Sequence, residues 1–575
     1  MTDSIARNIV RKTHRLGTIV NGSLSKGLEA RLDETISVED MAVGRYVVID
    51  GRAQKFFGMI TDVRLSAANP NVLLSPPPSD DPILAEVMAG TSTFGTIDIA
   101  PMLTIGHTDV GSEVVGPRPV KTVPSHFAPV SEATDIDVSS VFGAEDETHF
   151  WIGQPLDMDT RVCIDLKRFV ERSSGIFGKS GTGKTFLTRL LLAGIVQKNV
   201  AVNLVFDMHS EYGWQGSSEG ASRQVKGLKQ LFNERISVFT LDPKSSRDRG
   251  VAADHEVEIG FDQIMPEDFE LLREALDMSV AQTETIHRLA DKMGKNWLSD
   301  FADTDAQMRE EIAQVHGLNP GTLNVLHRKI ERIARLPFLK RKAVDDSVTR
   351  ILANIRDGRH VVLEFGNHRS LDAYILVANV LTRRIHERYV EEADKAAGAG
   401  GQSPKPLVIT IEEAHKFLNP SVAGLTIFGT IAREMRKYNV TLLVVDQRPS
   451  SIADEVMSQI GTRVTCLLDD EKDISAVLGG IPAGTGLRSV LARLDSKQQA
   501  ILLGHAVPMP VVIKTRDYGT TESYAELTRY AGRGRRVIGT GPLHEPSAAT
   551  NGLAPVDLKE QAAEELRRIE KMFES

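Results

Sequence analysis

The hydrophobic pattern of the chain changes near residue 170. From there on, stretches of helical periodicity alternate with short runs that are almost continuously apolar: GIFG, AVNLVFD, ISVFTLD, HVVLEF, LVITIEE, VTLLVVD and RVTCLL. A strand that is apolar on both faces is typical of a parallel sheet covered by helices on both sides. The pattern therefore predicts an α/β fold for this part of the chain.

The N-terminal part has a different pattern. Residues from 16 to about 120 carry the runs LGTIVNG, GRYVVID, FFGMITDV and TFGTIDIAPML, which are rich in β-branched and aromatic residues. Turn-forming Gly, Pro and Asp separate these runs. This spacing predicts a small β-barrel.

Three segments interrupt or follow these patterns. Residues 252–357 are mostly helical in periodicity and much longer than the ~2–6-residue connections of α/β units, so they are predicted to be an insertion. EADKAAGAGGQSPKP at 392–406 predicts a flexible surface loop, and residues 540–558 predict a linker before a final charged helix. The expected domains are a barrel over 1–130, a core in two parts over 131–251 and 358–520, the helical insertion over 252–357, and a C-terminal tail and helix over 521–575.

Composition narrows the function classes. The chain has 575 residues and a formal net charge of -9, so contacts with nucleic-acid phosphates would need local basic patches. Its two cysteines, Cys163 and Cys466, are too few for a disulfide framework or a zinc cluster. The N-terminus has no apolar targeting segment, and no apolar run is long enough to span a bilayer. We therefore expect a soluble, cytoplasmic protein without a membrane partner.

The stretch GKSGTGKT matches the phosphate-binding pattern GxxxxGK[ST] and lies between a predicted strand and a predicted helix. Its glycines let backbone N–H groups surround phosphates, and the helix adds its positive end. Lys184 is expected to neutralise the β- and γ-phosphates and Thr185 to bind Mg²⁺, which predicts ATP and Mg²⁺ as ligands. The predicted nucleotide-binding residues are Gly178, Lys179, Ser180, Gly181, Thr182, Gly183, Lys184 and Thr185.

Hydrolysis needs acidic groups near the metal and the attacking water. The run LVITIEEAHKF delivers Glu412 and Glu413 at the carboxyl end of a predicted strand, the edge where ligands bind in open α/β sheets. We assign Glu412 to Mg²⁺ and Glu413 to the water, against the alternative that both belong to a solvated helix start. Gln447, after the run VTLLVVD, is predicted to sense the γ-phosphate or the water.

Other polar clusters have two interpretations each. Arg433 and Arg436 in IAREMRK lie one helical turn apart and either reach a phosphate across a subunit boundary or belong to a solvated helix. Asp207, His209 and Glu211 in VFDMHSEYG either bind a metal or support the site by hydrogen bonds.

These motifs, taken in order, resemble the HerA branch of the FtsK and HerA superfamily of hexameric DNA translocases. The similarity includes the barrel, GKSGTGKT, DMHSEY, IEEAH, IAREMRK, DQRPS and the late stretch LARLDSKQQAILLGHAVPMPVVIK, which resembles the closing hairpin of the family. The resemblance implies a RecA-like P-loop core and a homo-hexameric ring with nucleotide between subunits. It makes Arg436 the preferred trans-acting arginine with Arg433 beside it, and it places Arg172 near the nucleotide.

The resemblance also implies the substrate and the partner. HerA proteins commonly drive a nuclease such as NurA in DNA end processing, and relatives work with other effectors in antiphage defence. We expect an ATP-driven translocase or helicase on double-stranded DNA, with the barrel face as the docking platform. The segment HRKIERIARLPFLKRK at 327–342 is predicted to be a basic helical segment, which either faces DNA or is a solvated surface. The alternatives are a ring scaffold that organises an effector without translocation and a conjugation or secretion ATPase of the same superfamily.

Overall fold

The computed structural model describes residues 14–68, 93–106, 117–218, 221–343, 346–368, 370–399, 404–434, 438–480, 484–495 and 497–529. Arg436, the linker predicted at 540–558 and the predicted final helix lie outside these residues.

The N-terminal strands form a closed antiparallel barrel. Strands β2, β1, β7, β3, β4 and β5 are neighbours in that order, and pairing of β2 with β5 closes the ring, while β6 extends from β5. Their bounds are β1 Arg15–Ser23, β2 Gly27–Leu32, β3 Tyr46–Asp50, β4 Gln54–Ala67, β5 Thr93–Gly106, β6 Arg118–Pro119 and β7 Pro129–Glu132.

Alternate side chains of the barrel strand β3 pack into two different hydrophobic cores. In β3, Val47 and Ile49 point into the barrel, whereas Tyr46 and Val48 pack with the core of the following domain. The Tyr46 hydroxyl accepts a hydrogen bond from the Val512 backbone N–H at 3.1 Å. The barrel is therefore packed against the second domain along this strand.

The second domain is built on a 12-stranded sheet in the order β15-β14-β18-β11-β19-β20-β10-β21-β22-β23-β8-β9. The strands from β15 to β21 run parallel, and those from β22 to β9 are antiparallel to their neighbours. The remaining strands of the chain are β8 His149–Gln154, β9 Val162–Asp165, β10 Ser174–Phe177, β11 Val202–Asp207, β12 Gly216–Ser218, β13 Ala221–Val225, β14 Ile236–Thr240, β15 His255–Glu256, β16 Ile259–Gly260, β17 Leu339–Lys340, β18 His360–Glu364, β19 Leu407–Glu412, β20 Val440–Asp446, β21 Thr462–Thr465, β22 Gln499–Gly504 and β23 Val511–Thr515.

Helices connect these strands and make up most of the segment between β15 and β18. They are α1 Asp135–Phe142, α2 Leu166–Glu171, α3 Lys184–Lys198, α4 Leu228–Phe232, α5 Pro243–Asp248, α6 Pro266–Leu271, α7 Val280–Met293, α8 Trp297–Ala302, α9 Ala306–His316, α10 Pro320–Ala334, α11 Ser347–Arg356, α12 Leu371–Ala399, α13 His415–Leu418, α14 Ile427–Glu434, α15 Asp454–Gln459, α16 Glu471–Leu478, α17 Gly484–Leu491 and α18 Thr521–Thr528. The predicted fold class, an N-terminal barrel followed by an α/β P-loop core with a mainly helical insertion, is confirmed.

Two local predictions differ from the structure. Residues 392–399 of the predicted flexible loop are helical, because α12 continues to Ala399. Its residues 392–399, EADKAAGA, include strong helix formers that extend the preceding helix. The basic segment 327–342 is helical only up to Ala334, where α10 ends. Within the ranges given above, no helix is long and apolar enough to cross a lipid bilayer.

Candidate active site

Four adjacent parallel strands end in acidic residues at the same edge of the sheet. Glu364 ends β18, Asp207 ends β11, Glu412 ends β19 and Asp446 ends β20, and each is at most 8% exposed. Strand β10 lies beside β20, with Phe177 in register with Asp446, and the phosphate-binding motif follows it directly. The sheet therefore brings the motif to the same edge as these four acidic residues, which form an acidic row. This is the usual ligand-binding edge of α/β sheets.

The loop over 178–185 has the backbone that its sequence predicts. Gly178, Gly181 and Gly183 have φ of 154°, 79° and 93°, a region that side chains rarely tolerate. A Cβ on Gly178 would lie 2.8 Å from the Cβ of Cys466, so glycine is also required for space. Gly183 is the N-cap of α3, so the free N–H groups of the first turn of this helix lie at the loop.

Side chains of the loop contact its own backbone. Thr182 Oγ1 donates to the Lys179 carbonyl at 2.7 Å, and Lys184 Nζ donates to the same carbonyl at 2.8 Å. Lys179 points outward and forms an ion pair with Asp469 at 2.6 Å, with both side chains more than half exposed. Lys184 and Lys179, although both belong to the motif, therefore occupy different environments.

A cavity of about 260 Å³ joins the loop to the acidic row. Its lining includes Lys184 and Thr185 from the loop, together with Glu412, Glu413 and Gln447 from the ends of β19 and β20. Ser180, Gly181, His209 and Glu211 also line it. The structure thus brings together the loop, the glutamate pair and the sensor residue named from the sequence.

The two carboxyl oxygens of Glu412 have different surroundings. Tyr212 donates its hydroxyl proton to Glu412 Oε1 at 2.6 Å, whereas Oε2 is buried without a hydrogen-bond partner among the described residues. Burial raises the pKa of Glu412 to about 8; the Tyr212 hydrogen bond opposes this shift, and the nearby carboxyls of Asp207 and Glu211 add to it. A buried, unpartnered carboxylate oxygen in the same cavity as a threonine hydroxyl fits a hard cation such as Mg²⁺.

Glu413 lies next to Glu412 in a strained conformation. Its φ is 49°, which is uncommon for a residue with a side chain. Gln447 Nε2 donates to Glu413 Oε1 at 3.1 Å, and His415 Nδ1 lies 3.6 Å from Oε2. The side chain is one-third exposed and lines the cavity, a placement that suits contact with a water molecule.

Two buried aspartates fix the loops that carry these groups. Asp446 accepts hydrogen bonds from the backbone N–H groups of His415 and Arg448, both at 2.7 Å. Asp207 accepts from the backbone of Glu211 and Tyr212 at 2.8 Å. Asp207 thus supports the DMHSEY turn through hydrogen bonds, which is one of the two interpretations of this motif. The described residues contain no group of three His, Cys, Asp or Glu placed to hold a metal.

A second cavity, of about 310 Å³, also borders this loop. It is lined by Gly181 and Gly183, by the aromatic rings of Phe186 and Tyr518, and by Gln498. The two rings meet edge to face with centroids 6.3 Å apart. No local sequence pattern indicates this cavity, because these wall residues come from segments more than three hundred residues apart.

The arginines lie elsewhere. Arg172 and Arg433 line a third cavity, of about 730 Å³, together with Ser173, Val440 and Gly461 near the amino ends of β10, β20 and β21. This is the opposite edge of the sheet from the phosphate-binding loop, so neither arginine reaches the loop of its own chain. Arg433 Nη1 lies 3.7 Å from Glu455 Oε2, and Arg436 is outside the described residues.

Basic side chains of the 327–342 segment are engaged within the chain. Arg332 is paired with Asp372, Arg335 lies 2.6 Å from Glu331, and Arg341 is paired with Asp303. These three ion pairs neutralise part of the positive charge of the segment.

Comparisons with known proteins identify the family of the chain. The model of the helicase HerA central domain matches residues 150–385, and the HAS barrel domain matches residues 16–114. The probable DNA double-strand break repair helicase HerA of Methanocaldococcus jannaschii is 33% identical over 406 residues, which cover 63% of this chain and 75% of that protein. The chain belongs to the HerA family. With its own phosphate-binding motif and its membership of this helicase family, it is an enzyme of the P-loop ATPase and helicase class.

More distant similarities extend further along the chain. The DNA double-strand break repair helicase HerA of Saccharolobus solfataricus is 23% identical to this HerA-family chain over 477 residues, covering 82% of the chain and 87% of that protein. Among solved structures, the plasmid coupling protein TrwB in complex with ADP and Mg²⁺ is 11% identical with a TM-score of 0.39, covering 67% of this chain and 98% of that one.

Proposed function

We propose that this chain is a ring-forming motor that hydrolyses ATP and moves along double-stranded DNA. The observation that carries the ATPase part is the single cavity in which Lys184, Thr185, Glu412, Glu413 and Gln447 meet. The DNA part is supported by the HerA relatives, which are named DNA double-strand break repair helicases.

Each group in the cavity has a separate role in this proposal. The loop N–H groups and Lys184 bind the phosphates, and Thr185 and Glu412 hold Mg²⁺, which when bound neutralises phosphate charge. Glu413 orients the attacking water and accepts its proton, and Gln447, which is hydrogen-bonded to Glu413, senses the γ-phosphate or the water. The cavity beside Phe186 and Tyr518 has the position and the aromatic lining suited to the nucleobase, because it opens at Gly181, where the phosphate cavity also opens.

The assembly is proposed to be a homo-hexamer in which each nucleotide lies between subunits. Arg172 and Arg433 line the sheet edge opposite their own loop, a position from which they serve a neighbouring subunit rather than their own. Arg436 is proposed as the main trans-acting arginine from its place in IAREMRK. We further propose that the domains follow the boundaries 1–130, 131–251 with 358–520, 252–357 and 521–575.

The effector is proposed to dock on the barrel. It is a nuclease of the NurA type or another defence enzyme, and the motor supplies it with DNA in end processing or antiphage defence.

Displacement of a labelled third strand from a linear DNA triplex tests translocation. We expect wild-type protein to displace the strand with ATP and Mg²⁺, and neither Lys184→Ala nor Glu413→Gln to do so. Lys292→Ala is the matched control, because Lys292 is an exposed lysine on α7 of the insertion, outside the motif and the cavity. ATP hydrolysis without displacement in wild type would reject translocation and favour the scaffold alternative.

A further inference from the structure

We infer that two buried tyrosines, Tyr212 and Tyr374, are positioning residues that hold Glu412 and thereby set the place of Glu413. The inference rests on the proposed ATPase function and concerns how its acidic pair is aimed. Both tyrosines are fully buried, and both hydroxyls contact Glu412.

Tyr374 holds the backbone of Glu412. Its hydroxyl accepts a hydrogen bond from the Glu412 N–H and donates one to the Glu412 carbonyl, both at 3.1 Å. That carbonyl belongs to the peptide that joins Glu412 to Glu413. One phenol therefore fixes the backbone on both sides of the Glu412 Cα at the end of β19.

Packing fixes the Tyr374 ring itself. The ring lies between Phe365 and Phe417, each with its centroid 5.2 Å away in an edge-to-face arrangement. Tyr374 is in the first turns of α12, whose Asp372 is paired with Arg332 of α10. The ring packing and this ion pair thus restrict the position of the hydroxyl.

Tyr212 holds the side chain of Glu412. Its hydroxyl donates to Glu412 Oε1 at 2.6 Å, and its backbone N–H is bound by Asp207 Oδ2 at 2.8 Å. With Oε1 taken, Oε2 is the oxygen left without a partner among the described residues. Tyr212 of the DMHSEY turn thus binds one carboxyl oxygen of Glu412, and the other oxygen can bind a cation.

Glu413 depends on this arrangement because its backbone is strained. A φ of 49° is held only where the surroundings over-determine it, and Tyr374 binds the peptide that leads into it. Loss of the Tyr374 hydroxyl is expected to let Glu413 relax and to disturb the orientation of the water. Loss of the Tyr212 hydroxyl is expected to weaken the hold on Mg²⁺.

The test uses full-length protein with Tyr374→Phe and Tyr212→Phe, each of which removes one oxygen. Tyr389→Phe is the matched control, because Tyr389 is also buried on α12 and donates its hydroxyl to the Lys405 carbonyl at 2.9 Å, away from Glu412. Two measurements are made on each protein: steady-state ATP hydrolysis, and binding of a fluorescent ATP analogue as a function of Mg²⁺ concentration. Melting temperatures report any general loss of stability.

Tyr374→Phe is expected to lower kcat by ~10-fold or more with KM for ATP within about twofold, since it misplaces a catalytic group. Tyr212→Phe is expected to raise the Mg²⁺ concentration for half-maximal analogue binding by ~10-fold, the size of effect usual for partners of metal ligands, with binding in EDTA unchanged. Tyr389→Phe is expected to match wild type in both measurements, even where its melting temperature falls.

Two results would overturn the inference. The first is an unchanged kcat in Tyr374→Phe together with an unchanged Mg²⁺ midpoint in Tyr212→Phe. The second is a loss of activity and binding that is equal in all three variants and parallels the fall in their melting temperatures. Wild-type protein that binds the analogue with Mg²⁺ but does not hydrolyse ATP would instead reject the proposed function. In that case the Mg²⁺ midpoint of Tyr212→Phe still decides whether Glu412 is positioned as inferred.

Discussion

At the scale of single residues, the acidic row is costly to bury. Glu364 and Asp207 end adjacent strands in register, and both are fully buried. Burial raises the pKa of Glu364 to about 7, strengthened by the neighbouring Asp207 carboxyl and opposed by its ion pair with Arg249. The folded state therefore binds a proton at Glu364 more tightly than the unfolded state does.

This shift predicts a pH-dependent effect of Glu364→Gln. Because the folded pKa is raised from the usual 4.5 to about 7, wild type loses stability as pH rises through this window, whereas the amide does not titrate. The stability of Glu364→Gln relative to wild type should increase from pH 5 to pH 8 by up to ~3 kcal/mol. Urea unfolding at several pH values measures this difference, and parallel pH profiles for the two proteins would contradict it.

At the scale of elements, helix α12 joins the helical insertion to the site. Asp268 of α6 accepts hydrogen bonds from Arg383 at 2.7 Å and Asn379 at 2.8 Å, both on α12. The same helix carries Tyr374, which contacts Glu412 at the end of β19. The insertion is therefore fastened to the helix that contacts the acidic pair.

Removing the Asp268 carboxylate should loosen this connection. Asp268 is 1% exposed, so Asp268→Ala leaves the mostly buried Arg383 charge without its partner, which typically costs about 3 kcal/mol or more. We expect the free energy of unfolding to fall by about that amount. Asp268→Asn, which keeps the shape and one acceptor, should lose less. A loss below about 1 kcal/mol in Asp268→Ala would contradict the role of this contact, since that is the size expected of an exposed pair.

The elements that the sequence predicted well are those with a strong local pattern. Strands such as β11 and β19 are apolar at nearly every position and end in acids, so both their burial and their functional edge follow from local sequence. By contrast, β8 and β9 extend the sheet through pairing with β23, which no local pattern specifies. The contact of Tyr374 with Glu412 joins residues 38 positions apart, and its hydroxyl looks like any other buried tyrosine in sequence.

At the scale of the whole molecule, the two edges of the sheet carry complementary chemistry. The phosphate-binding loop and the acidic pair lie at one edge, and Arg172 and Arg433 lie at the other. A ring in which the arginine edge of one subunit faces the nucleotide edge of the next would complete every site. The proposed trans role of Arg436 belongs to this arrangement.

Mixing of variants tests the trans role. If Arg436 acts as proposed, Arg436→Ala is expected to reduce ATP turnover by as much as ~10³-fold, the size of effect known for arginine fingers, with little change in ATP binding. Combining Arg436→Ala and Glu413→Gln subunits should restore part of the activity, because some interfaces then pair an intact Glu413 with an intact Arg436. Verified mixed rings without any rescue would contradict a trans role.

The steady-state ATPase rate of the full chain with Mg²⁺, measured with and without linear duplex DNA for wild type and Glu413→Gln, tests the proposed DNA-dependent motor most directly. We predict that duplex DNA stimulates wild type and that the stimulation declines with added salt, because phosphate contacts release counterions. Glu413→Gln should bind ATP but turn over at least ~10²-fold more slowly with or without DNA, the contribution typical of a positioned general base. If Glu413→Gln hydrolyses ATP at the wild-type rate, the proposed catalytic role of Glu413 is wrong. If duplex DNA does not change the wild-type rate, the proposed DNA-dependent motor is wrong.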